Sequence, residues 1–289
     1  MDVLGQCIQT GAVEHLNEKE MKKYKTALSI AGSDPSGGAG IQADLKTFSA
    51  CGCYGTTAIT AVVDENTVGV TGVHPIPVPF VAGQIRSVLD DIGADAVKIG
   101  MLHSSELITA VRDALLPYDI ANIVFDPVMV ATSGDKLLQD EAITTLMTEL
   151  IPYVRVITPN IPEAEILSGR SIQRQEDLQV VVKELSFGRS VSVYLKAGHL
   201  NDEVLTDLFY NAETDEVTAL SSKRIHTRNT HGTGCTLSSA IAAFLAHGRS
   251  LDEAVRSAKT YINNAILKGA AYEIGKGHGP VHHFFDFWQ

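Results

Sequence analysis

From Thr26 onward the chain alternates short apolar runs with longer amphipathic ones, and this rhythm restricts the fold more than any single motif does. Ala27 to Ala31, Ala96 to Ile99, Asn122 to Phe125, Val154 to Ile157 and Ser190 to Leu195 are apolar almost throughout, as strands buried on both faces are. Between them Ile41 to Ala50, Pro79 to Asp91, Ser104 to Leu116, Glu141 to Leu150 and Leu178 to Phe187 have helical spacing, as does Asp252 to Lys268 at the end. A βαβα alternation of this kind predicts an α/β fold, a mostly parallel doubly wound sheet covered by helices on both faces. Gly55 to Val63 reads as a β-rich run ending at Asp64-Glu65-Asn66-Thr67, followed by a short strand from Val68 to His74. Val204 to Tyr210 and Val217 to Ser222 read as a hairpin joined by residues 211–215. With 289 residues, 45% of them apolar, the chain can bury the core of one large domain, expected to run from residue 25 to 289. Residues 1–24 are set apart: His15 to Tyr24 is charged and helix-prone without apolar periodicity, and reads as an N-terminal arm or tail.

Ligands of open parallel sheets sit outside the C-terminal strand ends, and several polar residues fall there. Asp126, Asn160, Glu163 and Lys196 each follow an apolar strand. A further stretch, Asn229-Thr230-His231-Gly232-Thr233-Gly234-Cys235-Thr236-Leu237, runs into the apolar segment Ser238 to Ala246. Glycines at a helix start turn backbone N–H groups toward one point, an anion hole at the positive end of the helix dipole. Cys235, read as the first helical residue, would have its thiolate favoured by that field and could act as a base. The same stretch also fits an ordinary glycine-rich loop with Cys235 as a small core residue. The turn Gly32 to Gly40 brings backbone close to a ligand, with Asp34 and Asp44 as contacts or as plain turn and helix charges. It lacks both the lysine of a P-loop and the spacing of a dinucleotide fingerprint. Carboxylates and an amide suit Mg²⁺ directly or through water, and a lysine beside an anion hole suits a polyphosphate. Together these parts describe a nucleotide-dependent kinase without a P-loop.

A net charge of −11 argues against nucleic acid or an anionic membrane as partner. The apolar run at Ala240 to Ala246 is too short to span a bilayer. Cys7, Cys51, Cys53 and Cys235 have no paired spacing and read as reduced thiols of a cytoplasmic protein. His278, His282 and His283 read as a C-terminal cap rather than a metal cluster.

Four separated segments carry a resemblance. Ala31 to Lys46, Lys98 to Leu102, Thr158 to Ala164 and Asn229 to Leu237 resemble, in that order, the hydroxymethylpyrimidine/phosphomethylpyrimidine kinases of the thiamine pathway, within the ribokinase-like superfamily. Gly277 to Phe284 is similar to that family's C-terminus. The resemblance implies a ribokinase-like αβα sandwich, a homodimer, moving the γ-phosphate of MgATP to an aminopyrimidine alcohol and then to the resulting monophosphate. It places Cys235 as base or activator of the substrate hydroxyl, Gly232, Thr233 and Gly234 as the anion hole, and Lys196 on the transferred phosphate. Asp126, Asn160 and Glu163 would serve the nucleotide, with Glu163 and Asp126 on the metal. Asp44, Met101 and Val128 would line the pyrimidine pocket, and Glu65 would read the ring edge.

At that last position the family commonly has glutamine. An amide can both accept and donate, whereas an ionised carboxylate only accepts, so Glu65 is expected to favour a protonated ring, raise the substrate pKa or widen the range to B6 vitamers. Pyridoxal kinase is therefore the second reading. A non-catalytic vitamin-binding protein is a third, opposed by Lys196, Glu163 and the Gly232 to Cys235 loop.

Overall fold

The computed structural model describes residues 22–129, 140–188, 190–198, 200 and 202–288. Most of the expected N-terminal arm, and the loop Ser133-Gly134-Asp135, lie outside the described residues.

An eight-stranded sheet runs through the chain. Five of its strands are β1 (Thr26–Ala31), β2 (Tyr54–Ile59), β5 (Ala96–Ile99), β6 (Ile123–Phe125) and β7 (Val156–Ile157). The other three are β8 (Ser192–Leu195), β9 (Val204–Asn211) and β10 (Glu216–Lys223). The order across the sheet is β10-β9-β8-β7-β6-β5-β1-β2, parallel from β2 to β8 and antiparallel from β8 through β9 to β10. The alternation of each short strand explains the continuous apolar runs. Leu28, Ile30, Val97, Ile99, Ile123, Phe125, Val193 and Leu195 pack on one face, and Ala27, Ala96, Val124 and Tyr194 on the other.

The first face is covered by α2 (Val78–Asp91), α3 (Ser105–Leu115), α4 (Asp140–Thr145), α5 (Ile161–Ser168) and α6 (Gln175–Glu184). The second is covered by α1 (Gly40–Ala50), α7 (Thr233–Ala246) and α8 (Leu251–Gly269). The expected helix over Glu141 to Leu150 is an α-helical turn and a half that widens into a π-turn at Leu146–Leu150. Helix α7 has no charged residue and is buried along most of its length, as a helix between the sheet and α8 must be.

The β-rich run from Gly55 divides. β2 stays in the main sheet, and after Thr60 the chain leaves it as β3 (Ala61–Asn66), which pairs with β4 (Gly69–Pro75) in a separate antiparallel ribbon. Alternation of buried Ala61 and Val63 with exposed Val62 and Asp64 shows why: one side of the ribbon faces the protein and the other faces solvent. From β1 the chain crosses outward through α1 to β2, whereas from β5 it crosses the opposite way through α3 to β6. Adjacent strands whose connections diverge leave a crevice at their C-terminal ends. The ribbon stands beside that crevice.

Candidate active site

A cavity of about 730 Å³ opens over these strand ends. Each wall comes from a different element. At one end Asp126 follows β6, Lys196 follows β8, and Asn160 and Glu163 begin α5, where they form a reciprocal cap. Glu163 N–H donates to Asn160 Oδ1 at 3.0 Å and Asn160 N–H donates to Glu163 Oε2 at 2.7 Å, which fixes the carboxylate against the cavity floor. Asp126 Oδ1 accepts from Thr158 Oγ1 and from Lys196 Nζ, both at 2.9 Å, while Lys196 Nζ also stands 3.9 Å from Glu163 Oε2. Burial pushes the Asp126 carboxyl up, but Lys196 and Lys98 more than offset this and hold it below the usual carboxylate range. Glu163 is the opposite case. Its burial outweighs Lys196, Asp126 adds repulsion, and its carboxyl is pushed up to about 7.

The loop before α7 closes the same end. Gly232 caps the helix at φ 74°, and a Cβ there would overlap the carbonyl of Gly38, so only glycine lets the two glycine loops touch. Thr233, Gly234 and Cys235 are the first three helical residues; Thr233 N–H bends back to Thr230 O at 3.3 Å, while Gly234 and Cys235 follow it in the first turn, where N–H groups have no helical carbonyl to bind. Gly234 lies against Lys196 and Asp126: a Cβ on it would come within 3.2 Å of Nζ and 3.3 Å of Oδ2. The N-terminus of α7, the lysine and the carboxylate thus converge.

Cys235 is third in the helix rather than first, and its environment corrects the expected thiolate. Burial, only partly offset by Lys98, pushes its thiol up to about 11, so the resting residue is a thiol and the helix field does not win.

Asp44 is also placed differently from expectation. It is not in the cavity wall but wholly buried beneath it, where Lys98 Nζ donates to both oxygens at 2.9 Å, Ser239 Oγ donates to one at 2.7 Å and Ser29 Oγ to the other at 2.5 Å. Met101 and Val128 do line the cavity, and with Ala61, Val63 and Val70 form a small apolar cluster under the ribbon. Glu65, next along β3, faces the same space.

Two residues without an assigned role in the sequence reading belong here. Lys98 is a charged residue in the otherwise apolar run Ala-Val-Lys-Ile, a signal that it must have a buried partner. His231 immediately precedes Gly232 at the start of α7, and its Nε2 donates to Asp34 Oδ2 at 2.8 Å and stands 3.9 Å from Glu65 Oε1. Among the described residues, Asp34, Glu65 and His231 are the one trio of His, Cys or acidic side chains whose ligand atoms lie within 4.8 Å of one another. Of the three tail histidines, His282 and His283 are buried and their Nε2 atoms bond to Trp288 O and Thr236 Oγ1, as a cap requires.

Comparison with known proteins shows the family of the chain. The family model described as phosphomethylpyrimidine kinase matches residues 34–282. The chain belongs to this family. It is 48% identical to the hydroxymethylpyrimidine/phosphomethylpyrimidine kinase of Rhizobium meliloti over 264 residues, covering 91% of this chain and 98% of that one. Among solved structures, the phosphomethylpyrimidine kinase of Clostridium difficile superposes with a TM-score of 0.73 at 42% identity, covering 83% of this chain and 99% of that one. The pyridoxal kinase of Staphylococcus aureus in complex with AMP-PCP and pyridoxal superposes with a TM-score of 0.81 at 35% identity, covering 91% and 94%. The ribokinase-like sandwich expected from the sequence is therefore the fold, and the chain is a phosphomethylpyrimidine kinase family enzyme. No helix among the described residues is long and apolar enough to cross a membrane.

Proposed function

We propose that this enzyme transfers the γ-phosphate of ATP to the hydroxymethyl group of 4-amino-5-hydroxymethyl-2-methylpyrimidine and then to the monophosphate so formed, in thiamine biosynthesis. The observation that carries the reading is the convergence of Lys196, Asp126 and the N-terminus of α7 at one end of a cavity whose other end is apolar and closed by a carboxylate. Phosphoryl transfer needs little covalent chemistry from a protein; positioning and charge neutralisation supply the rate.

In this reading the ring lies in the apolar slot formed by Val63, Met101 and Val128, which directs the hydroxymethyl group toward Cys235. The first-turn N–H groups of α7 and the Lys196 ammonium face the equatorial oxygens of the transferred group. Cys235 is protonated at rest, so it orients the hydroxyl through its sulfur, and the hydroxyl proton leaves late, as a loose transition state permits. Asp126, Asn160 and Glu163 serve the nucleotide. Their hard oxygens fit Mg²⁺, and because Asp126 is already held by Lys196 and Thr158 and Glu163 by its cap, they would hold the ion through its water. Bound there, Mg²⁺ supplies neutralisation of polyphosphate charge. The proposal extends to one kinase domain over residues 25–289, acting as a cytoplasmic homodimer without nucleic acid. Edge strand β2 and the exposed Phe80 on neighbouring α2 support a face for a second copy.

A pyridoxal kinase is the second reading, favoured by Glu65, whose carboxylate suits a pyridinium ring. Purified enzyme given MgATP with equal hydroxymethylpyrimidine and pyridoxal, its products read by mass spectrometry, separates the two. Pyrimidine mono- and diphosphate, lost in Cys235→Ala, is the expected result. Pyridoxal phosphate as main product transfers the conclusion to the second reading, and no phosphorylated product sinks both.

A further inference from the structure

One buried carboxylate in the cavity wall has no part in holding the nucleotide or the alcohol. Asp207 lies in β9, is 6% exposed and lines the cavity together with Gly198 and Lys259. Both of its oxygens are occupied. Oδ1 accepts from Ala197 N–H at 2.8 Å, and Oδ2 accepts from the Tyr194 hydroxyl and from Lys259 Nζ, each at 2.7 Å. Tyr194 is wholly buried, and burial with Asp207 beside it pushes the hydroxyl well above the ordinary phenol range, so it stays a donor. Lys259, reaching over from α8, supplies the counter-charge, and the pair adds no net charge beside a site for polyphosphate.

The partners of Asp207 bracket Lys196: Tyr194 precedes it by two residues and Ala197 follows it. Strand register explains how. β8 pairs with β9 as Val193 with Tyr210, Tyr194 with Phe209 and Leu195 with Leu208, and there the pairing stops. One step further would set Lys196 opposite Asp207. Successive N–H groups of a strand point to opposite neighbours. Those of Ser192 and Lys196 point away from β9, to Arg155 O at 3.1 Å and Pro159 O at 2.9 Å, so that of Ala197 points toward it. A carboxylate oxygen meets it there in place of a ladder carbonyl. Ala197 is fully buried, and without Asp207 its N–H would have no water to turn to. Side-chain direction follows from the same alternation. Leu195 packs under the first layer of helices, whereas Tyr194 packs under α7 and α8, and Lys196 therefore rises on the α7 side, where its Nζ lies against Gly234.

We infer that Asp207 is a positioning residue for phosphoryl transfer: it ends the β8–β9 ladder at Leu195 and grips the residues on either side of Lys196, fixing the root of that side chain so that its ammonium stays at the first turn of α7. The inference rests on the proposed role of Lys196 at the transferred phosphate. A lysine has four rotatable side-chain bonds, and this one is held at its tip by a single hydrogen bond to Asp126. A displacement of about 1 Å at a transferring group can cost roughly 100-fold in rate, so a firm root for the side chain contributes directly to turnover.

A double-mutant cycle on kcat tests this, with MgATP and hydroxymethylpyrimidine as substrates and rates normalised to the folded fraction. Asp207→Ala is expected to lower kcat about 30-fold while KM for MgATP changes less than about threefold. On a Lys196→Ala background the same substitution should lower kcat by no more than about twofold, since a lysine that is absent cannot be misplaced. A merely structural carboxylate would lower the urea midpoint and leave kcat per folded enzyme as it was. An unchanged kcat in Asp207→Ala therefore overturns the inference, and so does a second full loss on the Lys196→Ala background. If Asp207→Ala does not fold, Tyr194→Phe goes through the same cycle, because it removes only a hydroxyl. A loss of about threefold alone and none beside Lys196→Ala is then expected; equal losses in both backgrounds, or none in either, overturn the inference. The two readings fail separately. Undiminished kcat in Lys196→Ala defeats the proposed role of that lysine and the inference with it, whereas an impaired Lys196→Ala with independent losses at Asp207 defeats the inference alone.

Discussion

Two lysines beneath the cavity carry their charge into the protein on different terms. Lys98, on β5, has a fully buried side chain and gives two hydrogen bonds to Asp44, whose remaining capacity is taken by Ser29 and Ser239. Lys196, after β8, keeps 15% of its side chain exposed, has a single hydrogen bond to Asp126, and reaches Glu163 only at 3.9 Å. Both pKa values are raised: burial acts against the charge in each, and carboxylates more than restore it. The difference lies in what remains to be satisfied. An ion pair closed on all sides belongs to the fold, because its desolvation is compensated whether or not a ligand is present. A lysine shared between two carboxylates at the floor of an opening has donor capacity left, and an anion arriving there improves its environment.

The widest separation between the two comes from deleting them. Lys98→Ala removes the counter-charge of the wholly buried Asp44, so urea unfolding should show a loss of about 3–5 kcal/mol. Lys98→Met with Asp44→Leu should recover part of this, and only part, because Ser29 and Ser239 then lose their acceptor. If the single variant loses less than about 1 kcal/mol, the pair is not structural and the contrast fails. Lys196→Ala should do the reverse. A decrease in kcat of roughly 100- to 1000-fold is expected, as for removal of one transition-state donor, with the urea midpoint nearly unchanged. A variant that unfolds easily while retaining turnover would exchange the two roles.

The same contrast marks how far the sequence could be read. Apolar strands in alternation with helices predict the main sheet because each strand is buried on both faces, and a run such as Ile123 to Phe125 has no other place to go. Asp126, Asn160, Glu163 and Lys196 were legible as a group because each ends a strand or begins the following turn, and the parallel topology brings strand ends together. The division of Gly55 to Asn66 into two sheets was not legible, since periodicity records which side of a strand is buried and not against what. The depth of Asp44 and the state of the Cys235 thiol were both misread, for one reason. Motif position tells which residues lie near a ligand, but the depth of a side chain, and hence its partners or its pKa, depends on packing by distant segments: Lys98 from β5, Gly40 from α1 and Ser239 from α7. Lys98 carried the clue, a charge inside an apolar strand, and identifying its partner required the fold.

Glu163 sharpens the contrast through pH. A carboxyl raised from the ordinary glutamate range to about 7 opposes folding once it must ionise, so its cost is absent near pH 4, grows between about 4.5 and 7, and is complete above 7. Under the proposed function the reaction runs the other way, because the ionised form is the one that would help hold a hydrated cation. Glu163→Gln should therefore raise Tm at pH 8 by about 2–4 °C while KM for MgATP rises about tenfold, roughly 1.4 kcal/mol. The wild-type KM should fall as pH climbs from 6 to 8 and that of the variant should stay flat. Thermal scans and initial rates across that range provide both curves. A variant less stable than wild type at pH 8 would place Glu163 with Lys98 among the structural charges.

Gly234→Ala tests the smallest difference, the space around Lys196. Gly234 is the second residue of α7 and needs no left-handed backbone, so alanine is compatible with the helix and should leave stability within about 1 kcal/mol of wild type, if anything higher. Its methyl would stand 3.2 Å from Lys196 Nζ and 3.3 Å from Asp126 Oδ2, tighter than ordinary contact. Asp126 is held by Thr158 and Ser238 and cannot move far, so the ammonium must give way, away from the N–H groups it assists. A fall of about tenfold in kcat/KM for ATP with an unchanged unfolding midpoint is expected. If activity is also unchanged, the lysine tolerates displacement of a few tenths of an ångström, and its contribution is long-range charge rather than a positioned hydrogen bond.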